Sequence, residues 1–579
     1  MNYHTTISAI SGIAALIALI IGFAPPAALA QGPGCPRGTA GAVVSDPPSV
    51  TSRNGVLRVS LSYNTATDGD GRTLYCFTAL NGEESPTLYA RPGDLLLIQV
   101  RNDLPTPATS TAMGMQTSMT PPSVCGASVM NDASVNVHFH GTNTSPVCHQ
   151  DEVIRTLINS GETFSYRLQI PFNEPPGLYW YHPHVHGISE AAVQGGASGA
   201  IVITGIQNVQ PKVAGLAQQI LIVRDQIVPN PPDDDPNVPG WDVSLNYIPI
   251  SYPAYIPAVI QMPPGKKQLW RVVNAGADTI LDLQLRYDGV PQTLELVALD
   301  GVPTGSQNGT RRGTTVDVTD ILLPPAGRAE FIVTPPAAGV QDATLMTLNV
   351  DTGPDGDIDP QRPLASVQLL SPSASSARTA ARGATPLLPS IVMRPGPQRF
   401  EGLAKAAVTA RRKLFFSEFI PADPTVEPTF FITVDGQTPT AFDPNNPPAI
   451  TTTQGAVEEW TIENRSGESH EFHIHQIHFL LEAINGVPVP PEQQQFLDMI
   501  NVPFWTGSGP FPSVTVRMDF RGRDIGDFVY HCHILEHEDN GMMAIIRVLP
   551  KGSAAAATPL AHKRRSLASN KPLKVATLK

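Results

Sequence analysis

Short runs of alternating apolar and polar residues, broken by Pro, Gly or Asn, fill most of the chain. Val56–Tyr63, Phe164–Ile170, Gln219–Val223 and Val514–Phe520 have the look of half-buried strands between turns. Long amphipathic helical patterns are scarce. Three segments share a longer pattern, a Gly, an apolar strand, and an Asn nine residues on: Gly93–Asn102 (GDLLLIQVRN), Gly265–Asn274 (GKKQLWRVVN) and Gly455–Asn464 (GAVEEWTIEN). Two residues before each Asn stands Val100, Val272 or Ile462. A turn glycine leading into a half-buried strand, repeated three times at one spacing, predicts three related domains.

The 579 residues exceed what one hydrophobic core holds. The reading is all-β: three consecutive β-sandwiches of ~150 residues, a common domain size. Their expected limits are 31–205, 206–370 and 401–550. A Ser/Ala/Arg/Pro-rich linker is expected at 371–400, and a basic, disordered tail with Lys563, Arg564 and Arg565 at 551–579. The 58 Pro and 47 Gly are spread along the chain rather than massed, as many turns require.

Charge and the N-terminus narrow the setting. A formal charge of -13 argues against nucleic acid as a main partner. Residues 1–30 read as a signal peptide, with an apolar run from Ile10 to Phe23 and Ala28-Leu29-Ala30 before Gln31. A retained membrane anchor is the competing reading, disfavoured by the short apolar run. No later stretch is long and apolar enough to span a bilayer, so no stable membrane insertion is expected. Export to a periplasm or the extracellular space follows. Cys35, Cys76, Cys125 and Cys148 can form two disulfides there, with three pairings open. Cys532, flanked by His on both sides, is left over, and metal ligation explains it.

Of 15 histidines, all but His4 and His562 fall in four compact clusters. These are His138-Phe-His140 with His149 nearby, His182-Pro-His184-Val-His186, His470-Glu-Phe-His473-Ile-His475 with His478 nearby, and His531-Cys532-His533 with His537. A single His-x-His pair is often only a packed, hydrogen-bonded pair of neutral imidazoles. Four pairs at the ends of strand-like segments point to metal. On a strand, positions i and i+2 share a face and i+1 takes the other. His531 and His533 therefore face one way and Cys532 the other, and His473 and His475 share a face that excludes His470.

Two sites follow from that parity. One gathers the pairs 138/140, 182/184, 473/475 and 531/533, eight imidazoles without sulfur, enough for several ions. The other gathers Cys532, His470 and a later His, for which His537 is best placed. A thioether stands just beyond, at Met542 or Met543. Two imidazoles, a thiolate and a distant thioether make a blue-copper electron-transfer site. Zinc is the competing ion, but a lone Cys backed by Met favours copper. Cys532 would bind one centre while its chain neighbours bind the other, giving electrons a short covalent path.

The segments HFHG (138–141), WYHPHVHG (180–187), HEFHIH (470–475) and HCHILEHEDNGMM (531–543) resemble the multicopper oxidase family of laccases, bilirubin oxidases, cuprous oxidases and spore-coat oxidases. The resemblance implies three cupredoxin-like Greek-key sandwiches and four copper ions. It assigns His470, Cys532, His537 and, as axial ligand, Met542 to a type 1 copper. His138 and His473 would hold a type 2 copper, and His140, His182, His184, His475, His531 and His533 a type 3 pair. The cluster of three would lie between the first and third domains. Counted from the repeated Asn, Ile280, Leu283 and Leu285 stand where the third domain has His470, His473 and His475. The middle domain is therefore expected to lack metal ligands there and to act as a spacer. This chain has Glu471 where the family commonly has Pro, a departure that could tune the potential or substrate access.

The implied reaction couples one-electron oxidation of a small reducing substrate to four-electron reduction of dioxygen. That reduction consumes four protons, and Asp151 and Glu538 resemble family positions that supply them. His149, His186 and His478 are expected to hydrogen-bond rather than to bind metal. Phenols or aromatic amines are the favoured donors and Cu(I) the alternative. Met113, Met115, Met119 and Met130 read as core or loop residues rather than a copper-gathering insert. Two further classes stand against an oxidase: a copper-binding cupredoxin protein without turnover, and a zinc hydrolase, which would leave Cys532 unexplained.

Overall fold

The structure, a computed structural model, describes residues 34–107, 124–126, 128–229, 238–306, 308–370, 400–423 and 425–553. The expected signal peptide, all but the last residue of the linker, Met113, Met115 and Met119, and the tail beyond Ser553 lie outside the described residues. No described helix is long and apolar enough to cross a membrane.

The alternating segments do form strands. Val56–Thr67, Thr163–Gln169, Ala217–Ile227 and Ser513–Asp519 contain or overlap the four expected ones. Among the described residues the main strands make six sheets, two from each of three consecutive stretches of chain. The first stretch pairs two four-stranded sheets, the second an eight- and a six-stranded sheet, and the third a seven- and a five-stranded sheet. Each stretch has one principal core, with Leu96, Ile98 and Val100 in the first, Trp270, Val272 and Leu283 in the second, and Trp460, Ile462 and Phe472 in the third.

The three repeated segments hold one structural position. Leu95–Asn102 runs parallel to Val56–Thr67 and antiparallel to Thr163–Gln169. Gln268–Asn274 lies likewise between Ala217–Ile227 and Arg328–Val333, and Val457–Asn464 between Ala410–Phe419 and Ser513–Asp519. Gly93, Gly265 and Gly455 all take positive φ (+89°, +64° and +101°), which is why glycine opens each copy.

The closing Asn has a task the strand pattern does not reveal. Asn102 Nδ2 donates to the carbonyls of Ala133 (2.6 Å) and Ile158 (2.8 Å). Asn274 Nδ2 donates to Thr279 (2.8 Å) and Leu323 (3.0 Å), and Asn464 Nδ2 to Glu468 (2.7 Å) and Val502 (3.0 Å). Each Asn Oδ1 accepts a main-chain N–H two residues on, from Leu104, Gly276 or Ser466. One buried amide thus ties the end of its strand to two further segments. In the first and third sandwiches those segments lead directly into His138 and His470. In the middle sandwich they lead to Ile280, Leu283 and Leu285, all buried, and Leu283 and Leu285 pack in its core.

Cys35 pairs with Cys76 and Cys125 with Cys148. The second bridge closes the loop that carries His138 and His140. Cross-linking loops of 41 and 23 residues restrains the unfolded chain by ~3–4 kcal/mol each on a chain-entropy estimate.

Candidate metal centre

The eight paired imidazoles meet in one buried cluster between the first and third sandwiches. His138 and His182 form a bridge, exchanging main-chain hydrogen bonds of 2.8 and 3.2 Å. His473 stands opposite His531 where the strands His470–Ile474 and Gly526–Cys532 pair, so Phe472 stands opposite Cys532. Strand alternation then sends His473 and His531 toward the first sandwich and Cys532 into the third sandwich's own core. The rings interleave across the junction: His138 stacks on His475 at 3.8 Å between centroids and His140 on His473 at 4.0 Å.

Three nitrogens converge. The Nε2 atoms of His184, His475 and His531 lie 3.1, 3.2 and 3.3 Å from one another. An ion ~2.0 Å from each of three imidazoles would space them about 3.3–3.5 Å apart, so the triangle has metal-site dimensions. Elsewhere in the cluster Nδ1 is already committed: for His138 to Asp151 Oδ1 (3.0 Å), for His182 to the Pro183 carbonyl (2.8 Å) and for His473 to the Asp498 carbonyl (2.8 Å). A neutral ring whose Nδ1–H is donated keeps its lone pair on Nε2. The Nε2 atoms of these three residues are buried and have no hydrogen-bond partner. Burial holds His140, His182, His184, His473, His475 and His533 well below the usual imidazole range and takes His531 down to about 3. Buried, neutral imidazoles with orphaned lone pairs fit a cluster of metal ions.

The sulfur-containing site lies on the other face of the same strand. Cys532 Sγ is 3.8 Å from His470 Nδ1 and 3.7 Å from His537 Nδ1, and the two nitrogens are 3.1 Å apart. Arms of ~2.0 Å to nitrogen and ~2.3 Å to sulfur, opened at ~120°, would set N···S at ~3.7 Å. His470 Nε2 meets Ser466 Oγ at 2.7 Å and His537 Nε2 meets Glu468 Oε1 at 3.3 Å, which leaves both Nδ1 atoms for the ion. Met542 shares the buried apolar cluster of Cys532, whereas Met543 packs with Val153, Val529 and Ile545. That contrast favours Met542 as the thioether. Burial pushes the Cys532 thiol well up, so ionising it calls for a bound cation.

Two expected acids are buried at the eight-imidazole cluster. Asp151 accepts from the Phe139 N–H at 3.0 Å and from Gln476 Nε2 at 2.7 Å, besides meeting His138. Glu538 Oε2 is 3.2 Å from His531 Nδ1 and its Oε1 3.5 Å from His184 Nδ1; burial raises its carboxyl well above the usual range. The remaining histidines lie apart from the convergent nitrogens. His149 is half-buried and its Nδ1–H donates to the Ser165 carbonyl at 2.8 Å, and His186 packs edge-on to Phe442. His478 is buried, with Nε2 2.8 Å from the Asp300 carbonyl.

Several residues around the sites escape a motif search. Asp498, Gln476, Glu468 and Arg328 lie outside the short motifs or carry no motif of their own. Asp498 precedes the strand Met499–Val502, where Met499 stands opposite His473, a register that only strand pairing creates. Glu471 donates its N–H to Cys532 Sγ at 3.3 Å, and its buried carboxyl, pushed up to about 8 by burial, accepts from Asn501.

Family models described as multicopper oxidase match residues 127–208 and 420–552. The Staphylococcus haemolyticus multicopper oxidase mco is 34% identical over 123 residues, 20% of this chain and 24% of that protein, so the aligned part spans about a quarter of the relative. The corresponding Staphylococcus epidermidis protein is 22% identical over 430 residues, covering 72% of this chain and 77% of the relative. Among solved structures, a Campylobacter jejuni multicopper oxidase described as a metallo-oxidase superposes with a TM-score of 0.61 at 22% identity, over 88% of this chain and 96% of that one. The two matched segments are those of multicopper oxidases, copper-dependent oxidoreductases, and between them they hold all four histidine clusters, while the likeness to the solved structure shows the fold.

Proposed function

We propose that the chain oxidises a small reducing substrate one electron at a time at the sulfur-containing site and passes the electrons to the eight-imidazole site, where dioxygen is reduced to water. Copper bound at these sites would supply one-electron acceptance at the first and multi-electron reduction of dioxygen at the second. His470, Cys532 and His537, with Met542 beyond, would hold one ion. His138 and His473 would hold a second. The triangle His184, His475 and His531 would hold a third, and His140, His182 and His533 a fourth. Four electrons and four protons balance one dioxygen against two waters.

The observation that carries the reading is the placement of Cys532. Its side chain joins the sulfur site, while its bonded neighbours His531 and His533 join the cluster on the opposite face of one strand. Glu538, beside both His184 and His531, holds a proton at its carboxyl against the cluster. Asp151 orients His138 through Nδ1 and is itself held by Gln476. Domain limits at 31–205, 206–370 and 401–550 and export by residues 1–30 belong to the same proposal.

The electron donor would meet the Nε2 edge of His537. Glu468 lies against that edge, and Glu536, Asp357 and Glu418 act on the same ring. Burial raises the carboxyls of Glu468 and Glu418 to about 8, so at neutral pH they meet the donor as hydrogen-bonding groups, which suits a neutral phenol or aromatic amine, with Cu(I) as the alternative donor. Oxygen uptake by the mature, copper-loaded protein tests the proposal, first with a methoxyphenol and then with Cu(I), and with Cys532→Ser as control. Uptake with the phenol that the variant lacks establishes a laccase-like oxidase. Uptake with Cu(I) alone makes it a cuprous oxidase. A blue protein with no uptake from either would refute the oxidase reading for both donors.

A further inference from the structure

Gly141 ends the HFHG motif, and its neighbourhood shows what the glycine makes room for. It has a φ of +80°, and a Cβ there would come within 2.4 Å of Arg328 Nη2 and 2.6 Å of Asp498 Oδ2. The space beside His140 is taken by an ion pair between the middle and third sandwiches. Arg328 and Asp498 are fully buried, and the guanidinium grips both carboxylate oxygens, with Nη1 donating to Oδ1 at 2.6 Å and Nη2 to Oδ2 at 2.5 Å. Arg328 also donates to the Ala326 carbonyl at 3.0 Å and lies 3.4 Å from the Leu178 carbonyl of the first sandwich. Asp300 completes the joint: its Oδ2 accepts from the N–H groups of Asp498 and Met499, both at 3.2 Å. One arginine therefore touches all three sandwiches.

Asp498 in turn reaches the imidazole cluster twice. Its main-chain oxygen accepts Nδ1–H of His473 at 2.8 Å, and its Oδ1 faces His140 Nε2 at 3.4 Å. A carboxylate beside Nε2 favours the tautomer with the proton there. Both ring nitrogens of His140 are buried without a hydrogen-bond partner, and the Asp498 carboxylate lies beside Nε2, which leaves the lone pair on Nδ1. This is the reverse of His138, His182 and His473, whose Nδ1 atoms are committed and whose Nε2 atoms are free.

We propose that Arg328 and Asp498 are a positioning pair through which the middle sandwich, beyond acting as a spacer, makes His140 present Nδ1 to the eight-imidazole site and fixes the orientation of His473. The inference rests on the copper reading above. Its force is geometric: a bidentate grip allows one carboxylate orientation, and that orientation selects the tautomer.

The test uses the double variant Arg328→Met/Asp498→Leu, which replaces the buried ion pair by apolar groups; Asp300, 3.5 Å from Arg328, keeps its main-chain donors at residues 328, 498 and 499. The control is Arg271→Met/Glu330→Leu, which removes another buried ion pair at the junction of the first two sandwiches. Copper per chain, electron paramagnetic resonance and blue absorbance are read on the full-length, copper-loaded proteins. The expected result is that the first double variant keeps its blue absorbance but binds three coppers or fewer instead of four, while the control keeps four. Four coppers with unchanged hyperfine couplings in the first variant would overturn the inference, as would equal copper loss in both. A native protein that is not blue or binds fewer than four coppers would overturn the copper reading itself, and this inference with it.

Discussion

The main-chain N–H of Glu471, 3.3 Å from Cys532 Sγ, offers a sharp test of the sulfur site. Glu471→Pro removes that donor, because proline has no N–H. The carboxyl is lost as well, so Glu471→Ala, which keeps the N–H, is the reference. A hydrogen bond to a charged acceptor contributes ~1.5–3 kcal/mol, and the part that differs between the oxidised and reduced sites is taken as ~1 kcal/mol. The reduced site carries more charge on sulfur, so the N–H stabilises it preferentially. With 59 mV for each tenfold change in a one-electron equilibrium, the loss lowers the potential by ~40 mV relative to Glu471→Ala. The assay is a redox titration of the blue absorbance. Blue Pro and Ala variants with potentials within ~10 mV of each other would refute the argument, since the estimate requires about four times that separation.

Three further outcomes can be checked independently. Glu538→Gln should slow the reoxidation of reduced protein by dioxygen while leaving reduction of the sulfur site by substrate unchanged, measured by stopped flow; a defect confined to the donor half-reaction would remove Glu538 from proton supply. Met542→Leu should raise the potential of the blue site, because it removes a weak donor to the oxidised ion, and an unchanged potential would argue against an axial role. Asp359 accepts the Ile280 N–H at 2.8 Å, and burial takes its carboxyl to about 8 against ~3.9 in an unfolded chain. The native state therefore holds a proton that the unfolded chain has lost, and stability from this group falls as pH rises through that window. Asp359→Asn keeps an acceptor and cannot ionise, so thermal midpoints from pH 5 to 8 should decline more steeply in the native protein than in the variant; parallel declines would contradict the assignment.

Much of the candidate site was legible because strand alternation is local. His531-Cys532-His533 had to send two rings one way and a thiol the other once the segment was a strand, and the pairing of Phe472 with Cys532 follows that parity. The Gly-to-Asn repeat announced three equivalent strands because each copy meets the same turn and burial demands. The repeated Asn was visible, but its bonds to Ala133 and Ile158, or to Glu468 and Val502, were not, since they depend on where separate segments dock. The two disulfides lay beyond a sequence that left three pairings open.

The order of residues by itself determined that the chain would be β-rich, that its domains would repeat, and which side chains would share a face. Which of those faces meet was decided only by the tertiary structure. Arg328, Asp498 and His140 are far apart in the chain yet touch in one buried joint, and Gln476 reaches Asp151 from another sandwich. The physical reason is that side-chain parity is imposed within a few bonds of backbone. The partner of a buried charge is chosen by packing three sandwiches together, where desolvation leaves an arginine stable only beside its carboxylate.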